Sequence, residues 1–296
     1  MTEARDILAC AICRASLSWS GEQAQCRGCR AIYPIVDGIP VLAPDRDAHK
    51  DEQARFFDAA EAEFEITRPH GTPHLYRWLI DEKFRRSVSA LNHLAAGPTA
   101  LSVCGGSGMD AEFLARLGAR VMLADISVGA ASRASERACR FGFELTPIVA
   151  DIERLPFRDR SVDLVYVHDG LHHLERPAAG LAEMARVAAR AVSISEPARA
   201  LATQIAVRLR LSDVEEEAGN RIERVDPVEF IELLEGHGFR IVEARRYGMF
   251  YRHEPGPAMR LFSSRPLFPA ATAAVTAFNA VAGKLGNKLT IQAVRD

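Results

Sequence analysis

Apolar positions along this chain recur with two periods, and the alternation between them marks out its elements. Short apolar runs bounded by glycine, proline or charged residues stand near 100–104, 120–124, 146–150, 162–168 and 191–195, the pattern of strands buried on both faces. The intervening stretches carry helical spacing, as from Ala178 to Ala189. Strand and helix therefore alternate, which predicts a parallel sheet with helices on its faces. Farther on, Asp226-Pro227 supplies an N-cap and a proline at the first helical position, and Gly236 and Gly238 end that helix before strands from Phe239 and from Leu289. Upstream, Asp51 to Ala96 is helical in spacing, with Phe56, Phe57 and Phe64 first, then Leu75, Trp78, Leu79 and Phe84, broken at Pro69 and Pro73. Residues 43–50 are polar and read as a linker. Two stretches exceed ordinary connections. Residues 198–225 carry an apolar-basic run and then Asp213-Val-Glu-Glu-Glu, and they leave the fifth strand at its ligand end, so they are expected to form a substrate lid. Residues 255–288 are amphipathic, with Arg260, Arg265, Lys284 and Lys288 as their charges. Such a segment covers a pocket, meets a partner or lies on a membrane surface, the alternative being simple packing on the sheet.

The first of these strands leads into candidate chemistry. Ala100-Leu-Ser-Val-Cys-Gly-Gly-Ser-Gly-Met-Asp110 is a strand that breaks into a glycine turn and opens a helix, and the next apolar run ends in Asp125. Glycines of this kind let a backbone approach a ligand, helix N-termini favour anions, and an acid closing the second strand accepts bonds from ribose hydroxyls. The pattern predicts a nucleotide-type cofactor at the carboxyl ends of the strands. The alternative for Asp125 or Asp151 alone is that each merely caps the following helix.

Downstream come Ile148-Val-Ala-Asp151-Ile-Glu-Arg-Leu-Pro156-Phe and Ser161-Val-Asp163-Leu-Val-Tyr-Val-His168-Asp169-Gly-Leu-His172-His173-Leu. Over roughly residues 95 to 200 this ordered series resembles the class I S-adenosylmethionine-dependent methyltransferases, especially their ubiquinone-biosynthesis-like branch. The resemblance implies a doubly wound, mostly parallel seven-stranded α/β sheet whose last strand is antiparallel to its neighbour, with S-adenosylmethionine as cofactor. It further implies that Cys104, Gly105, Gly106 and Gly108 approach the methionine part, Asp125 holds the ribose, Ile126 lies on the adenine, and Asp151 with the Ile152 amide reads the adenine edge. The helices before the sheet would lie over the cofactor, with Tyr76 or Arg77 touching its carboxylate. Two departures stand out: Ser102 replaces the usual acid before the glycines, and Cys104 replaces the first glycine. A cysteine fits a tight turn provided that its φ stays negative.

Methyl transfer is a displacement that needs alignment more than a protein nucleophile, although a hydroxyl acceptor benefits from a base. His168, Asp169, His172 and His173 follow the fourth strand. His168 is expected nearest the reacting methyl and the cofactor, Asp169 and His173 beside it, and at least one of His172 and His173 is expected to be structural. Asp169-x-x-His172-His173 also resembles an acid-rich run that binds a divalent ion in quinone O-methyltransferases, but neighbouring residues on one element seldom point to one ion, so a catalytic metal is not expected here.

Four of the six cysteines form Cys10-x-x-Cys13 and Cys26-x-x-Cys29, close to the spacing of a four-thiolate structural zinc site. Two disulfides or a redox pair are the alternatives. Cys104 and Cys139 fall outside the pattern and read as buried thiols. The following Tyr33-Pro-Ile-Val-Asp37-Gly38-Ile-Pro-Val-Leu42 is a strand, a turn and a strand. Together these residues resemble the zinc ribbon found as a free activator subunit of RNA and protein methyltransferases, here fused to the catalytic domain. The expected division is a zinc ribbon over 1–45, a helical linker and cofactor cover over 46–96, and a methyltransferase domain over 97–296 with insertions at 198–225 and 255–288.

With 296 residues and a net charge of −2, the chain suits one large domain plus a small one and lacks the basic excess that RNA binding asks for. No apolar span is long enough to cross a membrane, and Met-Thr-Glu-Ala-Arg-Asp is not a signal peptide, so a cytoplasmic protein is expected. The expected acceptor is a small molecule such as a natural-product or sugar-like metabolite, methylated on oxygen or nitrogen. The competing readings are an RNA base methyltransferase with the ribbon as its recognition module, and a non-catalytic binding protein on the same fold.

Overall fold

The structure, a computed structural model, describes residues 2–43, 46–91, 94, 97–198 and 227–295. The insertion at 198–225 therefore lies, Ala198 aside, outside the described residues. A short helix α1 (Thr2–Ile7), which the sequence did not announce, precedes a four-stranded antiparallel sheet of β1 (Leu17–Trp19), β2 (Gln23–Cys26), β3 (Ile32–Val36) and β4 (Ile39–Pro40). The helical stretch that follows resolves into α2 (Ala48–Asp58), α3 (Ala62–Thr67) and α4 (His74–Ser87). Part of the expected linker is thus helix, because Asp47 caps it by accepting from the Lys50 amide at 2.9 Å.

The central sheet contains β5 (Thr99–Val103), β6 (Arg120–Asp125), β7 (Leu145–Val149), β8 (Val162–His168), β9 (Ala188–Pro197), β10 (Arg240–Tyr247) and β11 (Lys288–Val294). Its order is β10-β11-β9-β8-β5-β6-β7, and only β11 runs antiparallel to its neighbours. The interior strands are nearly all apolar because helices cover both faces: α5 (Met109–Arg116), α6 (Val128–Phe141), α7 (Pro177–Val187) and α8 (Pro227–Gly236). From β5 the chain builds outward to β6 and β7, then returns to lay β8 on the other side of β5. That reversal opens a crevice beyond the carboxyl ends of β5 and β8.

Residues 255–288 form α9 (Pro257–Phe262) and α10 (Phe268–Ala282). They pack on α4 and on the end of β10, where Met259, Phe268, Ala271 and Val275 share a cluster with Leu75, Trp78, Leu79 and Tyr247. Asn279 accepts from the Gly248 amide (2.7 Å) and donates to its carbonyl (3.0 Å), and Asn287 does the same for Met249 (2.9 and 3.0 Å). Each amide side chain thereby pairs with the backbone as a neighbouring strand would.

The N-terminal sheet is docked against the edge of the large one. Val41 bridges Val149 in parallel, Leu42 donates to the Val149 carbonyl at 2.7 Å, and Ala9 donates to Pro156 at 2.9 Å. Leu8, Leu17, Tyr33 and Leu42 share one apolar core with Ile148, Phe157 and Leu181. The exposed edge of β7 is thus occupied by the protein's own backbone.

Two arginines of α6 hold the cover helices. Arg133 donates to Ser107 Oγ (3.0 Å) and to the Phe57 carbonyl (2.5 Å) at the end of α2, where the helix dipole favours a cation. Arg137 is fully buried; it bonds Glu112 at 2.8 Å and the carbonyls of Ile66 (2.8 Å) and Arg68 (2.5 Å). Cys139, on the same helix, is exposed rather than buried as expected, since its position faces away from the sheet. Removing Arg137 leaves Glu112 and two carbonyls short of a buried donor. Arg137→Met is expected to destabilise the protein by about 3–5 kcal/mol in urea unfolding, with partial recovery in Arg137→Met/Glu112→Gln; an unchanged midpoint would show that the guanidinium does not hold the cover.

Candidate functional site

The crevice begins at the turn after β5. Cys104, Gly106 and Gly108 have φ of 51°, 52° and 80°, so the expectation of a negative φ at Cys104 is corrected: the cysteine adopts the left-handed backbone that its usual glycine would. Such a conformation costs an L residue roughly 1–3 kcal/mol and persists when its surroundings fix it. Here Gly170 gives the room, because a Cβ on it would lie 2.4 Å from the Cys104 Cβ. Burial, with Asp125 nearby, pushes the Cys104 thiol well up. Gly105 abuts Leu123, which a Cβ would meet at 2.6 Å, while Gly108 caps α5 and packs on Ala134 without lining the crevice.

The acid missing at Ser102 is supplied from α5. Ser102 Oγ donates to Asp110 Oδ2 at 2.5 Å, and Asp110 Oδ1 accepts from the Ala111 amide at 2.8 Å. Burial raises the Asp110 carboxyl to about 6. Sequence reasoning passed over Asp110 because it reads as an ordinary first-turn acid.

Asp125, at the end of β6, accepts from the Gly106 amide (2.9 Å, Oδ2) and the Ser127 amide (2.9 Å, Oδ1). Burial raises its pKa against the pull of those amides. Each oxygen keeps a second lone pair toward the crevice, where Ile126 and Ile152 also lie. Asp151 accepts from the Glu153 amide at 2.9 Å and from Lys50 Nζ at 2.7 Å, and Lys50 also reaches Glu153 at 3.0 Å. Lys50, on α2, was not singled out from the sequence; only its place one turn into a capped helix hinted at it.

These residues open into a cavity of about 1470 Å³, roofed by α2, α3 and the segment 249–259. Phe57, Phe64, Met109, Met249 and Tyr251 give it apolar wall, and Arg68, Arg133 and Glu65 give it charge. Tyr76 is not in that wall. It is fully buried and its hydroxyl donates to the His253 carbonyl at 2.9 Å, so it supports the roof from behind, while Arg77 points outward to solvent. The helical stripe was right about the face that packs but gave no means of ranking how deeply each position is covered.

At the end of β8 the cavity meets His168, Asp169 and His173. The His168 ring lies tilted against Phe84, centroids 4.8 Å apart, and its Nε2 is buried without a hydrogen-bond partner among the described residues. Burial and the Lys83 ammonium hold its pKa well below the ordinary value, so the imidazole is neutral. Asp169, at φ 50°, is gripped by two lysines: Lys83 of α4 and Lys288 of β11, the latter at 3.0 Å from both oxygens. Burial would raise the Asp169 carboxyl, but Lys288 and Lys83 outweigh it and hold it well below the carboxylate range. Burial in turn brings Lys83 down to about 7 despite Asp169. Lys83 was not picked out from the sequence and Lys288 only as a charge of the amphipathic segment, since they lie 86 and 119 positions from Asp169. His172 is buried with Nδ1 2.7 Å from Glu196, whose other oxygen accepts from the Gly170 and Leu171 amides at 2.8 Å each. His173 sits edge-on to Phe57 at 5.6 Å and turns its ring to the roof. Asp169 and His172 thus serve separate partners.

Apart from this cavity, Cys10, Cys13, Cys26 and Cys29 bring their sulfurs within 4.8 Å of one another. Cys10 and Cys29 are 3.6 Å apart and Cys13 and Cys26 3.4 Å, near the edge of about 3.8 Å that a tetrahedron of ~2.3 Å zinc–sulfur bonds requires. The Ile12 amide points at Cys10 Sγ (3.4 Å), the Gly28 amide at Cys26 Sγ (3.3 Å), and Arg14 and Arg30 turn each knuckle with φ of 61° and 67°.

Residues 101–215 match the family profile described as Methyltransferase domain. Among curated relatives, the demethylmenaquinone methyltransferase of Mycobacterium sp. (strain KMS) is 31% identical over 141 residues, covering 48% of this chain and 56% of that one. The chain thus spans about half the length of the curated relatives it matches. Among solved structures, the magnesium protoporphyrin IX methyltransferase of Synechocystis PCC 6803, with bound SAH, superposes with a TM-score of 0.58 at 17% identity, over 84% of this chain and 100% of that one. The (4+2)-cyclase SpnF superposes with a TM-score of 0.55 at 18% identity, over 87% and 98%. At such identities the likeness speaks for the fold alone. Residues 101–215 thus match a methyltransferase-domain profile, and the seven-stranded order with its single antiparallel strand is that of the Rossmann-like methyltransferase fold.

Proposed function

We propose that this chain transfers a methyl group from S-adenosylmethionine to a small, partly apolar acceptor held in the cavity. The observation that carries the reading is the Gly106 amide resting on Asp125 at the point where the sheet reverses its order. There a ribose-type acceptor would stand beside glycine backbone at the mouth of β5. Gly105 and Gly106 would face the methionine part, Asp125 the ribose, Ile126 the adenine plane, and Asp151 with the Ile152 amide the adenine edge. When bound, the cofactor supplies a methyl group on a sulfonium, so the chain's own task is alignment and exclusion of water. The neutral His168, which lines the cavity at the end of β8, is the group suited to accept the acceptor's proton. Asp169, clamped as an anion by Lys83 and Lys288, orients that corner rather than taking a proton, and His173 shapes the wall with Phe57.

We also propose that the four clustered cysteines hold one structural zinc. The near-tetrahedral sulfurs and the amides aimed at them fit a thiolate site, and the metal would supply folding energy that about forty residues lack by themselves.

Asp125→Ala is expected to weaken S-adenosylmethionine binding by about 1.5–3 kcal/mol in titration calorimetry, with the far-ultraviolet circular dichroism unchanged. Native affinity in that variant would remove the ribose assignment. Elemental analysis of protein purified under reducing conditions should give about one zinc per chain. Chelation should increase hydrogen exchange in residues 8–42 and in β7 before the rest of the sheet. Protein that is metal-free and equally protected there would end the zinc reading.

A further inference from the structure

α10 carries no charged residue and none of its side chains is buried. Apart from Thr272, Thr276 and Asn279, whose side chains bond backbone carbonyls, the helix is apolar; such a helix belongs against an interior, yet the outward side of this one is covered by nothing among the described residues. Val281 is 91% exposed, Leu285 62% and Leu261 59%, Phe262, Phe278 and Phe250 are exposed as well, and Phe250 and Phe278 are in edge contact at 6.4 Å. Arg260 turns to a groove it shares with Glu61, Glu63 and Glu254, but the charges carried by the segment itself have one sign. From Pro255 to Arg295 there is no aspartate or glutamate, and Arg260, Arg265 and Lys284 are exposed, while the chain as a whole is net negative.

We propose that α9 and α10 form a docking surface for an anionic lipid bilayer. A second copy of the same face would bring like charges together, whereas acidic headgroups neutralise them and the acyl region takes the valine, leucines and phenylalanines. No helix of the described residues is long and apolar enough to cross a membrane, so the segment lies along the surface. Asn279 and Asn287 fix its position against the backbone at 248–249. Met249, Phe250 and residues 255–259 also line the cavity, so docking turns the cavity mouth toward the bilayer. Resting on the methyltransferase reading, the acceptor class that this arrangement selects is a lipophilic molecule drawn from the membrane.

The test is flotation of the full chain with vesicles of phosphatidylcholine, with and without phosphatidylglycerol, and it requires neither cofactor nor acceptor. The expected result is flotation with the anionic vesicles that weakens in salt. Arg265→Gln or Lys284→Gln should lower the apparent affinity roughly fivefold each. Val281→Glu/Leu285→Glu should abolish flotation while calorimetric binding of S-adenosylmethionine stays at the native level. Absence of flotation, or flotation indifferent to these substitutions, overturns the proposal. So does concentration-dependent dimerisation in sedimentation that Val281→Glu/Leu285→Glu removes, without vesicle binding, because the face would then be a self-interface. Flotation by a native chain that fails to bind S-adenosylmethionine would refute the functional reading and leave the docking surface standing.

Discussion

The carboxylate of Asp169 is the tie on which the acceptor side of this protein depends. It lies at the end of β8, and it neutralises an ammonium from a helix that precedes the sheet and another from the strand that completes it. Two lysines buried without it would each face the full cost of leaving water. One carboxylate between two ammoniums still leaves an excess positive charge. The chain relieves it in part by lowering the pKa of Lys83 toward neutrality and by placing the Tyr251 hydroxyl 3.0 Å from that nitrogen. The corner next to His168 is therefore fixed by charge rather than by shape alone, and three distant segments must all be folded before it exists.

The opposite wall is held in another way. α2 and α3 bury few side chains, Gln53, Ala54 and Ile66 among them, so apolar contact contributes little to their position. They are instead held at their ends by guanidinium groups of α6 and by Asp58, which accepts from Ser127 Oγ at 2.6 Å and from the Gly129 amide at 2.8 Å and so caps α6 from outside. Hydrogen bonds to charged groups carry directional strength with little area. The roof over the cavity is thereby placed with definition while its inner surface remains available to ligands.

What the sequence made legible follows from range. Strand runs, the glycine turn, Asp125 and the cysteine knuckles are all written in residues close together, and local backbone preference with apolar periodicity recovers them. Lys83, Lys288 and Lys50 find their partners across the whole chain, and nothing near them in sequence distinguishes them from solvated lysines. Tyr76 shows a different limit: a helical stripe identifies the packed face but does not separate a residue that touches a ligand from one that supports the layer behind it. Cys104 shows a third, since residue type argued for ordinary backbone there, and the left-handed turn became visible only with Gly170 lying against it.

The bridge between Val41 and Val149 also bears on the order of assembly. The N-terminal sheet leaves the ribosome before the strand it borders, which emerges roughly a hundred residues later. During that interval this segment must persist on its own sheet and its cysteine cluster, with Leu8, Leu17 and Leu42 still facing water. Once β7 arrives, the waiting segment is already in place to occupy the one parallel edge of the sheet through which a nascent chain would otherwise pair with its neighbours. The N-terminal sheet is thus an internal escort for the catalytic sheet, and its failure would be read first as insolubility.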